Sequence, residues 1–184
     1  MIPAGVLFPG SPAIDLENLC LNPMNTLVDG PVFGKYVYNA MWKNLERQVV
    51  DGIPMPAGDL IAINFLTSEI VRDADENAVG GIRVPDMNVP IGSYFDPTNK
   101  AKPTCTFPPF PPNCNPIGGL GNLACFLGGS TTPFDQTTLD ARYSSHADYV
   151  DQVSTDAGRL SDEGFLLNRD FFEIVDRAEA ADIP

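Results

Sequence analysis

The residues to try first for chemistry are a serine in a glycine-rich turn and a single histidine. Gly128-Gly129-Ser130-Thr131-Thr132 is the closest string to a nucleophile elbow, G-x-S-x-G. In that motif a sharp strand-to-helix turn exposes the serine hydroxyl to a nearby imidazole. The second flanking glycine is missing, and coil rather than a helix is expected to follow. The string therefore reads as a glycine-rich turn that ends a strand. Any Ser-His-Asp scheme must use His146, the only histidine. It falls in the first turn of an expected helix, 146–163, where the helix dipole disfavours an imidazolium. It reads as a solvent-facing or packing residue, and no catalytic residue is assigned.

Asp73-x-Asp75-x-Asn77 has the first ligand spacing of a calcium loop, but Ala78 and Val84 stand where that loop needs Gly and Glu. A polar hairpin turn accounts for the run. Gly118-Gly119-Leu120-Gly121 contains no G-x-G-x-x-G, and no strand precedes it or helix follows it in this reading, so no phosphate cradle is assigned. Paired carboxylates for glycoside chemistry cannot be singled out from 24 acidic residues. No metal or cofactor site follows from the sequence.

Four cysteines remain. Cys105 and Cys114 bracket the Pro-laden stretch 106–113, a stiff loop that a disulfide would close, leaving Cys20 to pair with Cys125. The alternative is four reduced cysteines buried as small hydrophobes. Zinc is disfavoured by the spacings and by the single histidine. Paired cysteines imply an oxidising, secreted or periplasmic setting, although the N-terminus lacks the basic start and apolar core of a signal peptide.

The 184 residues carry a net charge of −13, with 11 Lys and Arg scattered among 24 Asp and Glu. Such a surface repels phosphate backbones, which excludes nucleic acid as a partner. No run of 18 apolar residues exists to span a bilayer. With 18 Pro and 16 Gly the chain is loop-rich, and its length suits one domain.

The elements that must position these residues are few. Residues 1–30 read as coil. Asp29 or Gly30 caps a helix with Pro31 in its first turn, and Asp51-Gly52 ends it. Phe33, Val37, Met41, Leu45 and Val49 form its expected apolar stripe, flanked by Val32, Tyr36 and Ala40, and Trp42 reads as a packing residue. Residues 61–72 hold one or two short strands, and 69–72 is expected to pair with 79–84 around the turn at 73–77. Residues 85–136 show almost no helical period. In the last third, Ser144 or Ser145 caps a helix to Glu163 with Tyr149, Val150, Val153, Ala157 and Leu160 inward, and Gly164 at a left-handed C-cap. Asn168 then caps a final helix whose shared face is Phe171, Phe172, Val175 and Ala178, and the two helices form an antiparallel hairpin. The expected fold is irregular α+β: about three helices, one hairpin and a long Pro/Gly-rich coil. Its parts are 1–52, coil plus a core-type helix; 53–136, hairpin and Cys/Pro-rich loop; and 137–184, a helical hairpin.

Several segments together resemble the C-terminal region of alpha/beta hydrolase domain proteins. They are the stretch Gly80-Gly81-Ile82-Arg83-Val84-Pro85-Asp86-Met87-Asn88 continuing to Tyr94, and Leu123 to Ser130 followed by Pro133-Phe134. Ala141 to Val150 leading into Gly164-Phe165-Leu166-Leu167 fits too, as do Cys20 to Asn25 and the Trp42 helix ending at Asp51-Gly52-Ile53-Pro54-Met55-Pro56. The resemblance runs in order over roughly residues 18–182. It implies a serine, ester-type hydrolase whose elbow, catalytic His and parallel sheet lie upstream of the matching region. No catalytic residue carries over to this chain. Its expected partner is that upstream core, or another chain supplying it, and exposed apolar surface would otherwise drive self-association. A stand-alone, disulfide-stapled binding or structural module is the other class kept open.

Overall fold

The computed structural model describes residues 19–21, 33–95, 100–104, 114 and 118–183. The chain divides into two compact units, each made of two separate stretches: residues 1–30 with 94–132, and residues 31–93 with 133–184.

The larger unit is organised by two helices whose local signals agree with one another. α5 (His146–Asp162) starts at Ser145, whose hydroxyl accepts from the Asp148 amide. It buries Tyr149, Val153, Ala157 and Leu160 on one face. It ends in a Schellman turn: Phe165 N–H reaches Leu160 O at 2.9 Å, Gly164 N–H reaches Ser161 O at 3.1 Å, and Gly164 takes φ +83°. Residues 165–167 lead into α6 (Asn168–Glu179), which buries Asp170, Ile174 and Ala178. The apolar face of α6 is therefore rotated by one position from the expected one, and Phe172 is 63% exposed. Asn168 is the first helical residue rather than the cap; its side chain instead accepts from the Ser161 hydroxyl at 3.3 Å.

α1 (Phe33–Asp51) lies within the expected helix, and the cap expected at Asp29, Gly30 and Pro31 lies outside the described residues. Its buried face is Tyr36, Ala40 and Asn44. The expected stripe is corrected: Leu45 and Val49 are exposed, and so is Trp42, at 65%. Two asparagines decide this orientation. Asn39 donates to both oxygens of Asp170, and Asn44 donates to Gly164 O at 2.8 Å, so polar groups clamp α1 to the turn and start of α6.

Between these helices, β1 (Ile63–Asn64) and β2 (Glu69–Ile70) pair antiparallel. Arg72 bridges Ala78, and Ile61 bridges Gly80. The expected 69–72 with 79–84 pairing is thus shorter than read, because 79–80 turns back to residues 61–62. Gly80 makes this possible: at φ +79° a Cβ would sit 2.3 Å from Leu60 O. Two short helices follow where none was expected, α2 (Pro85–Asn88) and, later in the chain, α4 (Gln136–Arg142), whose Asp135 caps the Thr138 amide. The unit's core gathers Tyr36, Val89, Leu139 and Tyr143 around the α5–α6 residues.

In the smaller unit α3 (Gly119–Gly128) corrects another expectation, since the Gly118–Gly121 cluster does open a helix. Its sequence is apolar nearly all round, which hides a helical period. Cys125, fully buried on α3, is disulfide-bonded to Cys20, with Cα atoms 5.6 Å apart. Residues 19–21 run antiparallel to 100–102 through Leu21 N–H to Lys100 O and Lys102 N–H to Leu19 O. The pairing of Cys105 with Cys114 lies outside the described residues. β3 (Gly92–Phe95) and β4 (Ser130–Pro133) form a second two-stranded sheet. Six helices are thus present among the described residues, against about three expected.

Candidate functional site

The serine turn is not an elbow. Gly129 ends α3 at φ +60°, Ser130 opens β4 and is 7% exposed, so the glycines close a helix and precede a strand rather than ending one. His146 is half-buried, and both its ring nitrogens face backbone carbonyls: Nδ1 lies 3.1 Å from Ile183 O and Nε2 lies 3.2 Å from Glu179 O. Asp151 and Ser154 share its shallow cleft of about 400 Å³, but the hydrogen-bond partners of the ring nitrogens are the two carbonyls rather than either side chain. Ser154 lies eight residues along α5, roughly 12 Å of helical rise away. A base whose nitrogens both meet carbonyls has no serine to deprotonate and no carboxylate to orient it.

The acidic run 73–77 is a turn that ties itself together. Asp73 Oδ1 accepts from the amides of Asp75 and Asn77, each at 3.0 Å, and its Oδ2 accepts from Arg83 at 2.7 Å. Asp75 forms a two-point ion pair with Arg142, and Asn77, fully buried, donates to Gly92 O. Burial pushes the Asp73 carboxyl up, but Arg83 and the two amides outweigh it and hold it below the usual aspartate value. The three side chains spaced like cation ligands thus hold Arg83, Arg142 and a backbone carbonyl.

The most organised polar cluster centres on Arg83, which the sequence reading did not single out by chemistry. Its guanidinium donates to Asp73, to the carbonyls of Ala78 and Met87, and to Asn88 Oδ1. Asn88 in turn donates to both carboxylate oxygens of Asp156 on α5, at 3.0 and 3.1 Å. Asp156 accepts from Arg159, which also pairs with Glu163. This chain of contacts fastens the hairpin and α2 to α5. It floors an open cleft of about 600 Å³ edged by Gly58, Asp59, Gly81, Ile82, Glu163 and Phe165.

On the other side of α2, Asp86 receives two bonds from Arg177 of α6, at 2.6 and 2.7 Å. Burial opposes the Arg177 charge, yet Asp86 outweighs it and raises the guanidinium above its ordinary value. Burial also pushes Tyr36 and Tyr149 up to about 12 each, and raises Tyr143 further. Tyr143 donates to Pro90 O at 2.8 Å. At neutral pH these phenols stay protonated and serve as fixed packing and hydrogen-bonding groups.

The arrangement can shape and brace a surface. Each carboxylate in the network already has a cationic or amide partner, and among the described residues the partners of the His146 ring nitrogens are backbone carbonyls rather than a serine hydroxyl. The signal for Arg83, Asp86 and Arg177 was scarcity. With 11 cations in a chain of net charge −13, an arginine beside Pro85-Asp86 is a node for carboxylates.

The family model described as an alpha/beta hydrolase domain matches residues 15–176. No curated protein and no solved structure matches the chain.

Proposed function

The chain belongs to the alpha/beta hydrolase domain family, and from that premise we propose that it is a non-catalytic, C-terminal part of an ester-type hydrolase. In this reading it packs on, and shapes, a catalytic core supplied by upstream sequence or by another chain.

One observation carries the proposal: α1 has apolar residues on two opposed faces. Tyr36, Ala40 and Asn44 point into the larger unit, while Tyr38, Trp42, Leu45 and Val49 are 61%, 65%, 38% and 76% exposed. At 100° per residue the outer four form a single stripe on the side opposite the buried three. A surface helix needs one apolar stripe; a second is the mark of a helix sandwiched between two layers. Covering the outer stripe removes on the order of 500 Å² from water, roughly 10 kcal/mol gross. Association costs offset much of that. A patch of this size is at the upper end of what a monomer exposes, about 300–600 Å², and such patches are often interaction surfaces. The braced cleft floored by Arg83 and Asn88 then forms part of the wall that the family core is completed by, which is a proposal from family membership rather than from any catalytic group here.

The test is fluorophosphonate labelling of the purified chain, read by intact mass, alongside light scattering of the wild type and the Trp42→Ser/Val49→Ser variant. We expect no adduct, and self-association that the variant relieves without loss of helicity. A stoichiometric serine adduct would overturn the non-catalytic reading. A wild type that stays monomeric and binds no apolar dye would overturn the docking reading.

The disulfide between Cys20 and Cys125 favours a second reading, a secreted or periplasmic module that stands alone. Cooperative melting of a monomeric chain, lost on reduction, is the outcome that selects it.

A further inference from the structure

We propose that His146 is a protonation-gated clasp that fastens the C-terminal segment, residues 180–183, to the α5–α6 hairpin. The clasp follows from hydrogen-bond stoichiometry and is independent of the hydrolase reading. Both ring nitrogens face carbonyl oxygens, Nδ1 that of Ile183 and Nε2 that of Glu179. A carbonyl only accepts, and a neutral imidazole carries a single N–H. The neutral ring therefore satisfies one carbonyl and turns a lone pair on the other. The imidazolium donates to both.

The placement sets two helix ends against each other. His146 is the first residue of α5, the positive end of that helix, while Glu179 is the last residue of α6, the negative end. At α5 the end charge is already answered by the Ser145 cap and by Asp148, which also accepts from Ser144 and Gln152. At α6 the terminal carbonyl of Glu179 is among those a helix cannot satisfy internally, and the ring supplies its donor. The charged groups that share the cleft with the ring are Asp151 from α5 and Glu179 from α6, and no Lys or Arg lines it among the described residues. The Asp148 carboxylate is engaged by Ser144 and Gln152, and Asp182 precedes Ile183 in the segment. Beyond the clasp, Ala181 and Ile183 pack against the core of the larger unit. Opening it releases an apolar residue, Ile183, together with its carbonyl.

The experiment is an NMR titration of the ¹⁵N-labelled chain from about pH 8 to about pH 5, the range over which histidine changes charge. It follows the His146 ring nitrogens and the amide and methyl signals of residues 181–183. We expect both ring nitrogens to carry protons at the acid end. The signals of Ala181 and Ile183 should move on the same midpoint as the ring. Loss of one hydrogen bond should raise the released population about fivefold at the alkaline end. His146→Gln, which does not titrate and offers donors from one nitrogen only, should abolish the step. A ring that titrates while the segment does not follow, or a step that survives in His146→Gln, overturns the proposal. Should the variant fail to fold, the wild-type spectra decide alone, because ring and segment report in the same samples.

Discussion

Replacing Asn39 by alanine strips the buried Asp170 carboxylate of its main partner. Asp170 is 2% exposed, and the Asn39 amide donates to its two oxygens at 3.1 and 3.0 Å. Its remaining cation, Arg169, sits at 3.4 Å on a side chain that is 70% exposed, so solvent weakens that contact. A hydrogen bond to a charged group contributes about 1.5–3 kcal/mol, and stranding a buried charge costs about 3–5 kcal/mol. The position of Asp170 in the first turn of α6 softens the second figure, because the helix end favours an anion. The expected loss for Asn39→Ala is therefore about 3 kcal/mol, or about 6–12 °C in Tm for a chain of this size. Asp170→Ala leaves the half-buried Asn39 amide unpaired and should cost about 2 kcal/mol. Once either partner is gone the other has less to lose. The double variant should thus fall near 3 kcal/mol, giving a coupling energy of about 2 kcal/mol. Urea melts followed by circular dichroism supply all four corners of the cycle. An Asn39→Ala loss below about 0.5 kcal/mol, or strict additivity, would refute the claim that this pair orients α1.

Two further outcomes are expected. Reducing Cys20–Cys125, which closes a span of 105 residues, should cost up to about 4.7 kcal/mol by chain entropy; Cys20→Ala/Cys125→Ala should reproduce the loss, and hydrogen exchange should place it first at residues 19–21 and α3. The Asp73 carboxyl is held below its ordinary value, so its stabilising contribution is complete above about pH 4 and lost as pH falls through the lower folded value. Asp73→Asn should flatten the acid limb of a urea-midpoint profile below about pH 4, and an unchanged limb would dismiss Arg83 as the cause.

How much of this was legible varied with the range of the signals. α5 was readable at both ends because each of its signals is local: Ser145 caps the first turn, the stripe from Tyr149 to Leu160 repeats every three or four residues, and Gly164 closes the last turn. The extent of α1 was readable but its inner face was not. Period alone favoured Val37, Met41, Leu45 and Val49, while the side chains that fix the orientation are Asn39 and Asn44, through partners more than a hundred residues away. α6 misled for the same reason, since one of its three buried residues is a carboxylate, Asp170. α3 was missed because a short run without a polar face has no period to find. The pairing of Cys20 with Cys125 was anticipated by elimination only, and the structure places it in a buried cluster with Leu19. Of the Arg83 network only a scarce arginine beside Pro85-Asp86 was legible, because its partners come from the turn at 73–77, α2 and α5.

The interleaving of the two units also imposes an order in time. Neither unit is a continuous stretch: residues 1–30 wait for 94–132, and residues 31–93 wait for 133–184. Cys125 is made 105 residues after Cys20. At ordinary translation rates that interval is roughly 5–20 s. During it Cys105 and Cys114 both appear before the native partner does. A nascent chain meeting an oxidant early thus encounters two wrong thiols before the right one. The burial of Cys125 on α3 then acts as a sorting device: only the bond that sets Cys20 beside that helix lets Leu19 pack, and exchange among thiols can settle there.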